Sequence, residues 1–494
     1  MLAKRCNTLT IKTDHASSLC TYTTQKTQRT MAVNEMKKKS ELIFIPAPGI
    51  GHLVSSLEFA KRLINTHTNL SITVLCIKFP GILISDSYIK SALASETQIQ
   101  LIDLPLVQRP PEQLLKSPEF FILTFVETLI PHVKAAIQTI LSDKILGLVL
   151  DFFCVSMIDV GNELGIPSYL FMTSNVGFLS LMLSLQNRRI EDVFDDSDTD
   201  RQFLIHGFSN LVPSNVLPDA VFNKDGGYVA YYKFAERFRD TKGIIVNTFS
   251  DLEQYSIDAL SNHDEKIPPT YAVGPLLDLK GNPSAKLDQA QRDVILKWLD
   301  EQPNKSVVFL CFGSMGISFV PSQIREIALG LKNSGVRFLW ANNAEKKGLP
   351  EGFLEWMELE GKGMICGWAP QVEILAHNAI GGFVSHCGWN SILESLWFGV
   401  PILTWPIYAE QQLNAFRMVK EWGLAVELRV DYRKGSENVV AEEIEKGLKD
   451  LMDRDNIVHK KVQEIKEKAR NAIASGGSSF ISVGKFIDNV IGSN

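Results

Sequence analysis

The chain has 494 residues, which is too long for one ordinary hydrophobic core and predicts about two or three domains. Hydrophobic residues make up 45% and charged residues 21%, a composition that excludes a largely disordered or fibrous chain. No uninterrupted apolar run reaches about 18 residues, so we expect no membrane span. The net charge is -6 and residues 1–40 alone carry +6, so the acidic remainder argues against a nucleic-acid partner.

Seven cysteines are scattered along the chain, and no two of them form a Cys-x-x-Cys pair. An odd, dispersed set of this kind is typical of free thiols in a reducing compartment. We therefore expect a cytoplasmic protein.

Residues 1–40 differ in composition from everything that follows. They are rich in Ser, Thr and Lys, and they contain no apolar run long enough for a secretory signal. Met31 and Met36 stand just upstream of the first strong strand pattern. We predict a disordered extension outside the folded domains, and an organelle transit peptide is the alternative that the same composition leaves open.

The first folded unit begins at Glu41. An apolar run is followed there by a Pro/Gly turn and then by apolar residues at helical spacing, as in a strand, turn and helix. Further buried-strand patterns occupy 71–79, 145–153 and 167–173, with helical patterns between them. The alternation predicts an open parallel sheet covered by helices, in a first domain of residues 41–272.

The same order of elements restarts near residue 306. A strand pattern at 306–312 runs into Gly313-Ser314 and then into a helix that begins near Pro321. More strand patterns follow, at 336–341, 363–368, 381–386 and 401–406. Residues 273–293 lack periodicity and are interpreted as a linker, which leaves 294–474 as a second domain. The predicted fold is α/β, with two doubly wound Rossmann-like domains facing each other across a cleft, where such sheets bind ligands.

Several common site motifs are missing. A dinucleotide fingerprint would need a third glycine after Gly49 and Gly51, but Val54 stands at that position. The P-loop, zincin and serine-hydrolase signatures do not occur. An acidic run contains two Asp-x-Asp spacings but lies in a polar segment without strand patterns on either side, so we interpret it as a solvated turn and predict no metal site. Its members are Asp195, Asp196, Asp198 and Asp200.

The richest segment is residues 368–411. It contains a strand ending at Ser385-His386, a glycine turn, and a helix from about Asn390 to Phe398. The first turn of such a helix presents free backbone N–H groups and a partial positive charge, and polar side chains flank it, so we predict a diphosphate site without a metal. An apolar stripe on the helix indicates core packing, but it leaves unexplained a dense set of other polar and aromatic residues typical of a nucleotide-sugar pocket: Trp368, His386, Trp389, Asn390, Glu394, Trp405, Glu410 and Gln411.

This segment resembles the 44-residue signature of plant secondary-product UDP-glycosyltransferases, the inverting family with the GT-B fold. The match includes WAPQ, the HCGWNS core, a Glu three residues after Ser391, the Trp405-Pro406 pair and the closing Glu410-Gln411 pair. The resemblance extends from about Glu41 to the C-terminus. It implies that the last helix, within 475–494, packs back on the first domain.

The resemblance also implies roles for the donor-side residues. Trp368 would stack on uracil, Ala369 and Gln371 would meet the edge of the base, and Glu394 would hold the ribose hydroxyls. The diphosphate would be bound by four polar residues, Ser314, His386, Asn390 and Ser391. The Trp389 backbone, Glu410 and Gln411 would hydrogen-bond the sugar, and a Gln at the closing position is linked with glucose in this family. Glu410 stands where the family often has Asp.

Three residues at strand ends of the first domain are further candidates for the site. His52 follows the first strand, so its imidazole is expected at the carboxyl edge of the sheet, where a base of near-neutral pKa suits a hydroxyl nucleophile; a helix cap or a surface residue is the alternative for a lone histidine. Asp151 closes the 145–153 strand, and its position fits either an orienting partner of a histidine or a helix cap. The resemblance implies that His52 deprotonates the acceptor, that Asp151 assists it, and that Thr173 reaches the sugar 6-hydroxyl; a buried structural Thr is the alternative for Thr173.

The expected reaction is an inverting transfer of glucose from UDP-glucose to a hydroxyl of a small plant metabolite, such as a flavonoid or phenylpropanoid, without a cofactor. Phe121 and Phe178 are candidate walls for such an acceptor, or else members of the core. We expect a monomer. A catalytically silent nucleotide-sugar-binding protein and an NAD-dependent oxidoreductase are the alternatives; Val54 argues against the second, and the presence of His52 and Asp151 against the first.

Overall fold

The computed structural model describes residues 40–79, 93–94, 96–140, 144–195, 201–263, 266–280, 289–313, 319–342, 347–431 and 438–492. Residues 1–39 of the predicted extension lie outside these ranges. Ser314 of the predicted diphosphate site and three members of the acidic run, Asp196, Asp198 and Asp200, also lie outside them.

The first half is built on a parallel sheet of seven strands in the order β3-β2-β1-β4-β5-β8-β9. The strands are β1 (Ser40–Ile45), β2 (Leu70–Cys76), β3 (Ile99–Asp103), β4 (Lys144–Asp151), β5 (Ser168–Met172), β8 (Ile244–Val246) and β9 (Thr270–Ala272). A short antiparallel pair, β6 (Gln202–Phe203) and β7 (Val212–Pro213), lies outside this sheet. Both faces of the large sheet are covered, which is why its central strands are apolar almost throughout.

Seven α-helices in the described part of the first half accompany this sheet. They are α1 (Ile50–Thr66), α2 (Pro118–Thr128), α3 (Ile130–Thr139), α4 (Ile158–Leu164), α5 (Val176–Ser184), α6 (Gly227–Phe238) and α7 (Ser250–His263). Short 3-10 turns occur at Glu112–Lys116, Phe152–Met157, Leu185–Asn187, Ser214–Val216 and Asp219–Val221. In the described ranges no single helix is long and apolar enough to cross a membrane, although α2 and α3, bent by 44° at their junction, pass that test together.

The second half repeats the arrangement with six parallel strands in the order β12-β11-β10-β13-β14-β15. They are β10 (Val307–Cys311), β11 (Arg337–Ala341), β12 (Gly363–Cys366), β13 (Ile380–Ser385), β14 (Ile402–Thr404) and β15 (Ala425–Glu427). The helices are α8 (Gln289–Asp300), α9 (Pro321–Ser334), α10 (Phe353–Glu360), α11 (Gln371–Ala376), α12 (Trp389–Phe398), α13 (Gln411–Phe416), α14 (Ala441–Met452) and α15 (Ile457–Ile473). A π-helical turn, Arg417–Glu421, continues α13.

Both sheets share one strand order, in which the third, second and first strands of each half are followed by the fourth and fifth. The order reverses between β1 and β4 in the first half and between β10 and β13 in the second. In doubly wound sheets the ligand crevice lies at this reversal, outside the carboxyl ends of the strands. The fold prediction of two doubly wound Rossmann-like domains is therefore confirmed, and the reversals locate the candidate site.

The segment between the halves contains more ordered structure than its sequence indicated. Val273 and Leu276 are buried, and α8 begins at Gln289, inside the predicted linker of residues 273–293. The crossing is held by the first half, because Arg62 of α1 donates to the carbonyls of Val273 and Pro275.

The last helix, α16 (Ser478–Gly492), packs on the first half although it follows the second in sequence. Its Phe486 is fully buried and meets the rings of Phe59, Tyr169 and Tyr271. At its start, Ser479 donates a hydrogen bond of 2.5 Å to the carbonyl of Gly274. The chain thus crosses between the halves a second time next to the first crossing.

Candidate active site

His52 and Asp151 meet at the strand-order reversal of the first sheet. β1 is followed by a Pro/Gly turn and α1, which carries His52 in its first turn, and Asp151 is the last residue of the adjacent strand β4. The Nδ1 atom of His52 lies 2.7 Å from Oδ2 of Asp151. Gly49 leaves room for the ring, since an added Cβ would approach the imidazole to 3.1 Å.

Asp151 makes both of the contacts that its position in the sequence left open, one to a histidine and one that caps the following turn. Its Oδ1 accepts the backbone N–H of Phe153 at 3.1 Å and so caps the turn Phe152–Met157, while Oδ2 contacts His52. The capping bond fixes the carboxylate. It therefore presents one oxygen to the imidazole in a defined direction.

The electrostatics of this pair favour a protonated imidazole. Burial lowers the pKa of His52, but attraction to the Asp151 carboxylate and its hydrogen bond, with a smaller contribution from Glu410, outweigh burial and raise the pKa above its usual value. The side chain of His52 is 26% exposed, and its Nε2 has no hydrogen-bond partner in the part of the chain that the structure describes. Nε2 is therefore the nitrogen available to a ligand.

Thr173 lies next to this pair. Its hydroxyl is 3.1 Å from Nδ1 of His52, the same nitrogen that Asp151 contacts. The following residue, Ser174, donates a hydrogen bond of 3.0 Å to Oε1 of Glu410 in the second half. The end of β5 thus contacts both the histidine and a predicted sugar-binding residue. Ser174 was not among the residues predicted from sequence, although the polar run Thr-Ser-Asn after a buried strand signals this position.

Two aromatic rings lie close to His52. The nearest are Phe153 and Phe152, with ring centroids at 5.7 and 6.0 Å. Phe178 lies one ring farther away, edge-on to Phe152, and is nearly fully buried. Phe121 is also buried, with its ring near Phe79. The rings closest to the candidate base are therefore the Phe152-Phe153 pair, which sequence reasoning did not select.

In the second half, α12 begins directly after β13 at the other strand-order reversal. His386 precedes it and is buried, which lowers the pKa of its imidazole to about 4 despite an opposing backbone hydrogen bond to Cys311. The ring is therefore neutral at pH 7. Its Nδ1 atom is buried without a hydrogen-bond partner among the described residues. Gly388 and Gly313 close around the ring, since an added Cβ would lie 2.5 and 2.8 Å from Nε2.

The first residues of α12 also contact the first half. Trp389 is buried, and its indole N–H donates to the carbonyl of Asn247 at 2.7 Å. The side chain of Asn390 lies 3.3 Å from the carbonyl of Gly51 and 3.4 Å from the Ser55 hydroxyl, both on α1. The start of α12 therefore faces the start of α1, one turn from His52.

The predicted nucleoside residues form a second polar group along α11 and α12. Gln371 donates to the Ser391 hydroxyl at 2.8 Å and to Oε2 of Glu394 at 2.6 Å. Burial raises the pKa of Glu394 to about 7, although the Gln371 hydrogen bond opposes it. Trp368 and Ala369 are half-buried just before α11. A carboxylate poised in this way can accept hydrogen bonds from a diol.

Glu410 and Gln411 stand at the start of α13. Gln411 is buried, and its side-chain oxygen accepts the backbone N–H groups of Ile407 and Tyr408 at 3.0 and 3.1 Å. These bonds fix the loop that leads to Glu410, in which Ala409 has a φ of 56°. In the residues that the structure describes, no group of three or more His, Cys, Asp or Glu side chains is arranged to hold a metal ion.

Comparison with known proteins gives one consistent result. The sequence model of the family described as "UDP-glucoronosyl and UDP-glucosyl transferase" matches residues 274–465. UDP-glycosyltransferase 71K2 of Pyrus communis is 53% identical over 484 residues, covering 92% of this chain and 99% of that protein. Flavonol 3-O-glucosyltransferase UGT71C4 of Arabidopsis thaliana is 46% identical, covering 92% of this chain and 98% of that protein.

Among solved structures, Medicago truncatula UGT71G1 complexed with UDP-glucose is 80% identical to this chain, with a TM-score of 0.91 and coverage of 92% and 99% of the two chains. A transferase from Siraitia grosvenorii in complex with UDP is 42% identical, with a TM-score of 0.80 and coverage of 92% and 100%. The resemblance read from residues 368–411 is thereby confirmed. The chain belongs to the UDP-glycosyltransferase family, and it is an enzyme that transfers a sugar from a UDP-sugar donor.

Proposed function

We propose that this enzyme transfers glucose from UDP-glucose to a hydroxyl of a small plant phenolic, with inversion at the anomeric carbon and with His52 as the base. The observation that carries the proposal is the contact of His52 with Asp151 at one strand-order reversal, opposite the start of α12 at the other. A base and an anion site on two facing sheets are what a two-substrate transfer needs.

On the donor side, we propose that Trp368, Ala369 and Gln371 bind the uracil and Glu394 the ribose. His386, Asn390 and Ser391, together with Ser314, would bind the diphosphate. The buried, unpartnered Nδ1 of His386 supports this assignment, as do the backbone N–H groups at the start of α12.

The sugar would lie between the halves. Glu410, Gln411 and the Trp389 backbone would hydrogen-bond its hydroxyls, and the identity of Gln411 favours glucose by resemblance to the family. The presence of UDP-glucose in the Medicago structure supports the same donor.

The proposed reaction is a single displacement. Because Asp151 occupies Nδ1, the acceptor O–H transfers its proton to Nε2 of His52, and Asp151 stabilises the imidazolium that forms. The acceptor oxygen attacks the anomeric carbon as the bond to the UDP oxygen breaks. The negative charge that develops on the diphosphate is stabilised at the start of α12, so the proposal includes neither a metal nor a cofactor.

The acceptor class is proposed from the aromatic residues near His52. Phe152, Phe153 and Phe178 form one continuous group of rings beside the base, which suits a planar aromatic acceptor, and Phe121 lies farther along the same core. Relatives named for flavonol and flavonoid 3-O-glucosyl transfer support a flavonoid or a related phenolic. We also propose a monomeric, cytoplasmic protein, and the five free cysteines in the described residues support a reducing compartment.

The experiment is to incubate the protein with UDP-glucose and a panel of small phenols, including flavonoids, and to identify products by mass. We expect a product heavier by one hexose, with the β configuration at the new glycosidic bond by NMR. Binding of UDP-glucose without any transfer across the panel would contradict the proposal and favour a catalytically silent binding protein. Transfer by the His52→Ala variant at the wild-type rate would remove His52 from the mechanism.

A further inference from the structure

A fully buried arginine joins the two halves behind the donor site. Arg417 opens the π-helical turn that follows α13, and its side chain is 2% exposed. Arginine is rarely buried unless it is paired. Its partners are Glu253 on α7 of the first half and Glu421 of its own turn, with 2.8 Å between Nε and Oε2 of Glu421.

The guanidinium makes contacts in every direction. Nη2 donates to the Ser256 hydroxyl at 2.6 Å, and Nη1 contacts Glu253 and Oδ1 of Asn175, the latter at 3.3 Å. Its carbon lies 4.4 Å from the ring centroid of Trp422 and 5.0 Å from that of Phe208. Such complete pairing fixes both the position and the direction of this side chain.

The same partners hold the backbone that follows β5, residues 173–177, which we call the bridging turn. Glu253 accepts the N–H groups of Val176 and Gly177 at 3.1 and 3.3 Å. Asn175 caps α5 by accepting the N–H of Phe178 at 2.9 Å. Arg417 therefore reaches the bridging turn both directly, through Asn175, and through Glu253.

The bridging turn in turn contacts the candidate active site at successive residues. Thr173 contacts His52, and Ser174 donates to Glu410. Asn175 donates to Oδ1 of Asn414 on α13 at 2.6 Å, and Asn414 donates to the carbonyl of Cys387, just before α12, at 3.0 Å. One short segment thus links the base to the elements that carry the predicted sugar and diphosphate contacts.

The packing between Arg417 and the bridging turn leaves no spare room. An added Cβ at Gly177 would overlap the guanidinium, with the Cδ and Cζ atoms of Arg417 each at 2.9 Å. Gly177 lies in the first turn of α5 with an ordinary backbone conformation, so its lack of a side chain serves this close approach.

We propose that Arg417 is a positioning residue for glycosyl transfer: by holding the bridging turn against α13, it sets Glu410 and Gln411 at the correct distance from His52. The inference rests on the proposed function above. It assigns Arg417 no contact with substrate, because the bridging turn and α13 lie between them.

Gly177→Ala is the sharpest test, because it displaces the Arg417 side chain and removes no charge. Alanine is the better helix former, so lost function in this variant does not come from helix propensity. Gly484→Ala in α16 is the matched control, since its added Cβ meets nothing within 4 Å. Lys420→Ala removes a cation from the same π-helical turn, where Lys420 pairs with Glu427 on the surface, and serves as the charge control.

Two quantities are measured on each purified variant: kcat for glucosyl transfer, and the calorimetric affinities for UDP and for UDP-glucose. A misplaced sugar should lower kcat in Gly177→Ala by about 10- to 100-fold. The affinity for UDP should stay at the wild-type value, while the affinity difference between UDP-glucose and UDP changes. Both controls should match the wild type.

Wild-type kcat and wild-type affinities in a folded Gly177→Ala variant would overturn the inference. A loss of affinity for UDP as large as the loss of affinity for UDP-glucose would also overturn it, because that outcome indicates a general structural role. If Gly177→Ala does not fold, Ser256→Ala, which removes a hydrogen-bond partner of the Arg417 guanidinium and no charge, is read by the same criteria. The difference in affinity between UDP-glucose and UDP is measured without an acceptor. A wild type that transfers glucose to no phenol would therefore contradict the proposed function, and the affinity difference would still decide the role of Arg417.

Discussion

The Nδ1 atom of His52 lies 2.7 Å from Oδ2 of Asp151, although 99 residues separate the two in sequence. They meet because β1 and β4 are neighbours at the strand-order reversal, so that residues following one strand and ending the other share an edge of the sheet. The carboxylate fixes which imidazole nitrogen faces the cleft. The proposed chemistry depends on that orientation.

We expect His52→Ala to lower kcat by about 100-fold or more, because a positioned general base contributes on that scale. Its affinity for UDP, measured by calorimetry, should remain that of the wild type. His377→Ala is a matched control, since the half-buried His377 forms a similar pair with the exposed Asp300 at 3.1 Å in the second half. A control variant that loses turnover equally would show that the assay reports damage unrelated to the base.

The Asp151 carboxylate should be visible in the pH dependence of the reaction. It raises the pKa of His52, and only the deprotonated imidazole accepts a proton, so kcat/KM of the wild type should fall as the pH drops through a value above the usual 6.5. Asp151→Asn removes the attraction and should move this acid limb to lower pH. The variant should also lose about 100-fold or more in kcat at its optimum, because the imidazolium is no longer stabilised.

An acid limb at the same pH in Asp151→Asn and in the wild type would contradict the assignment. Since Asp151 also caps the turn at Phe152, the variant's fold should be checked by circular dichroism before the profiles are compared.

Glu394 should make donor binding pH-dependent. Burial raises its pKa to about 7, and hydrogen bonds from ribose hydroxyls favour the ionised form, so UDP affinity should weaken as the pH falls from 8 to 6. Calorimetry in buffers of different ionisation enthalpy should detect proton release on binding near pH 6.5. Glu394→Gln should bind UDP more weakly and lose the proton release. Unchanged proton release in that variant would assign the titration to another group.

The contact of α16 with the first half should contribute measurably to stability. Phe486 is fully buried between Phe59, Tyr169 and Tyr271, so Phe486→Ala should lower the free energy of unfolding by about 3 kcal/mol or more. Phe480 on the same helix is 40% exposed, and Phe480→Ala should change it by less than about 0.5 kcal/mol. Equal effects of the two substitutions in chemical denaturation would contradict this packing.

The fold and much of the site were predictable from local patterns. The strand at 145–153 and the helix from about Asn390 to Phe398 are predicted within one or two residues of their observed bounds. An apolar run marks the strand, and Gly399, whose observed φ is 75°, marks the end of the helix. Asp151 was placed at a strand end, but its two roles remained alternatives, since a cap and a partner use the same position.

The sequence did not reveal contacts between residues that are far apart in the chain, because no local pattern marks the two partners. Arg417 and Glu253 are 164 positions apart, and each reads as an ordinary surface charge on an amphipathic helix. Their burial follows only from the way the halves meet. The predicted linker likewise concealed the start of α8, because its first turn, from Gln289, is polar and lacks an apolar stripe.

The contact between Ser479 and Gly274 has a mechanical consequence. The two crossings of the chain between the halves run side by side at this point, one entering the second half and one leaving it. Two adjacent connections resist sliding and twisting of one half against the other. Rotation about the line that joins the two connections is then the least hindered relative movement of the halves.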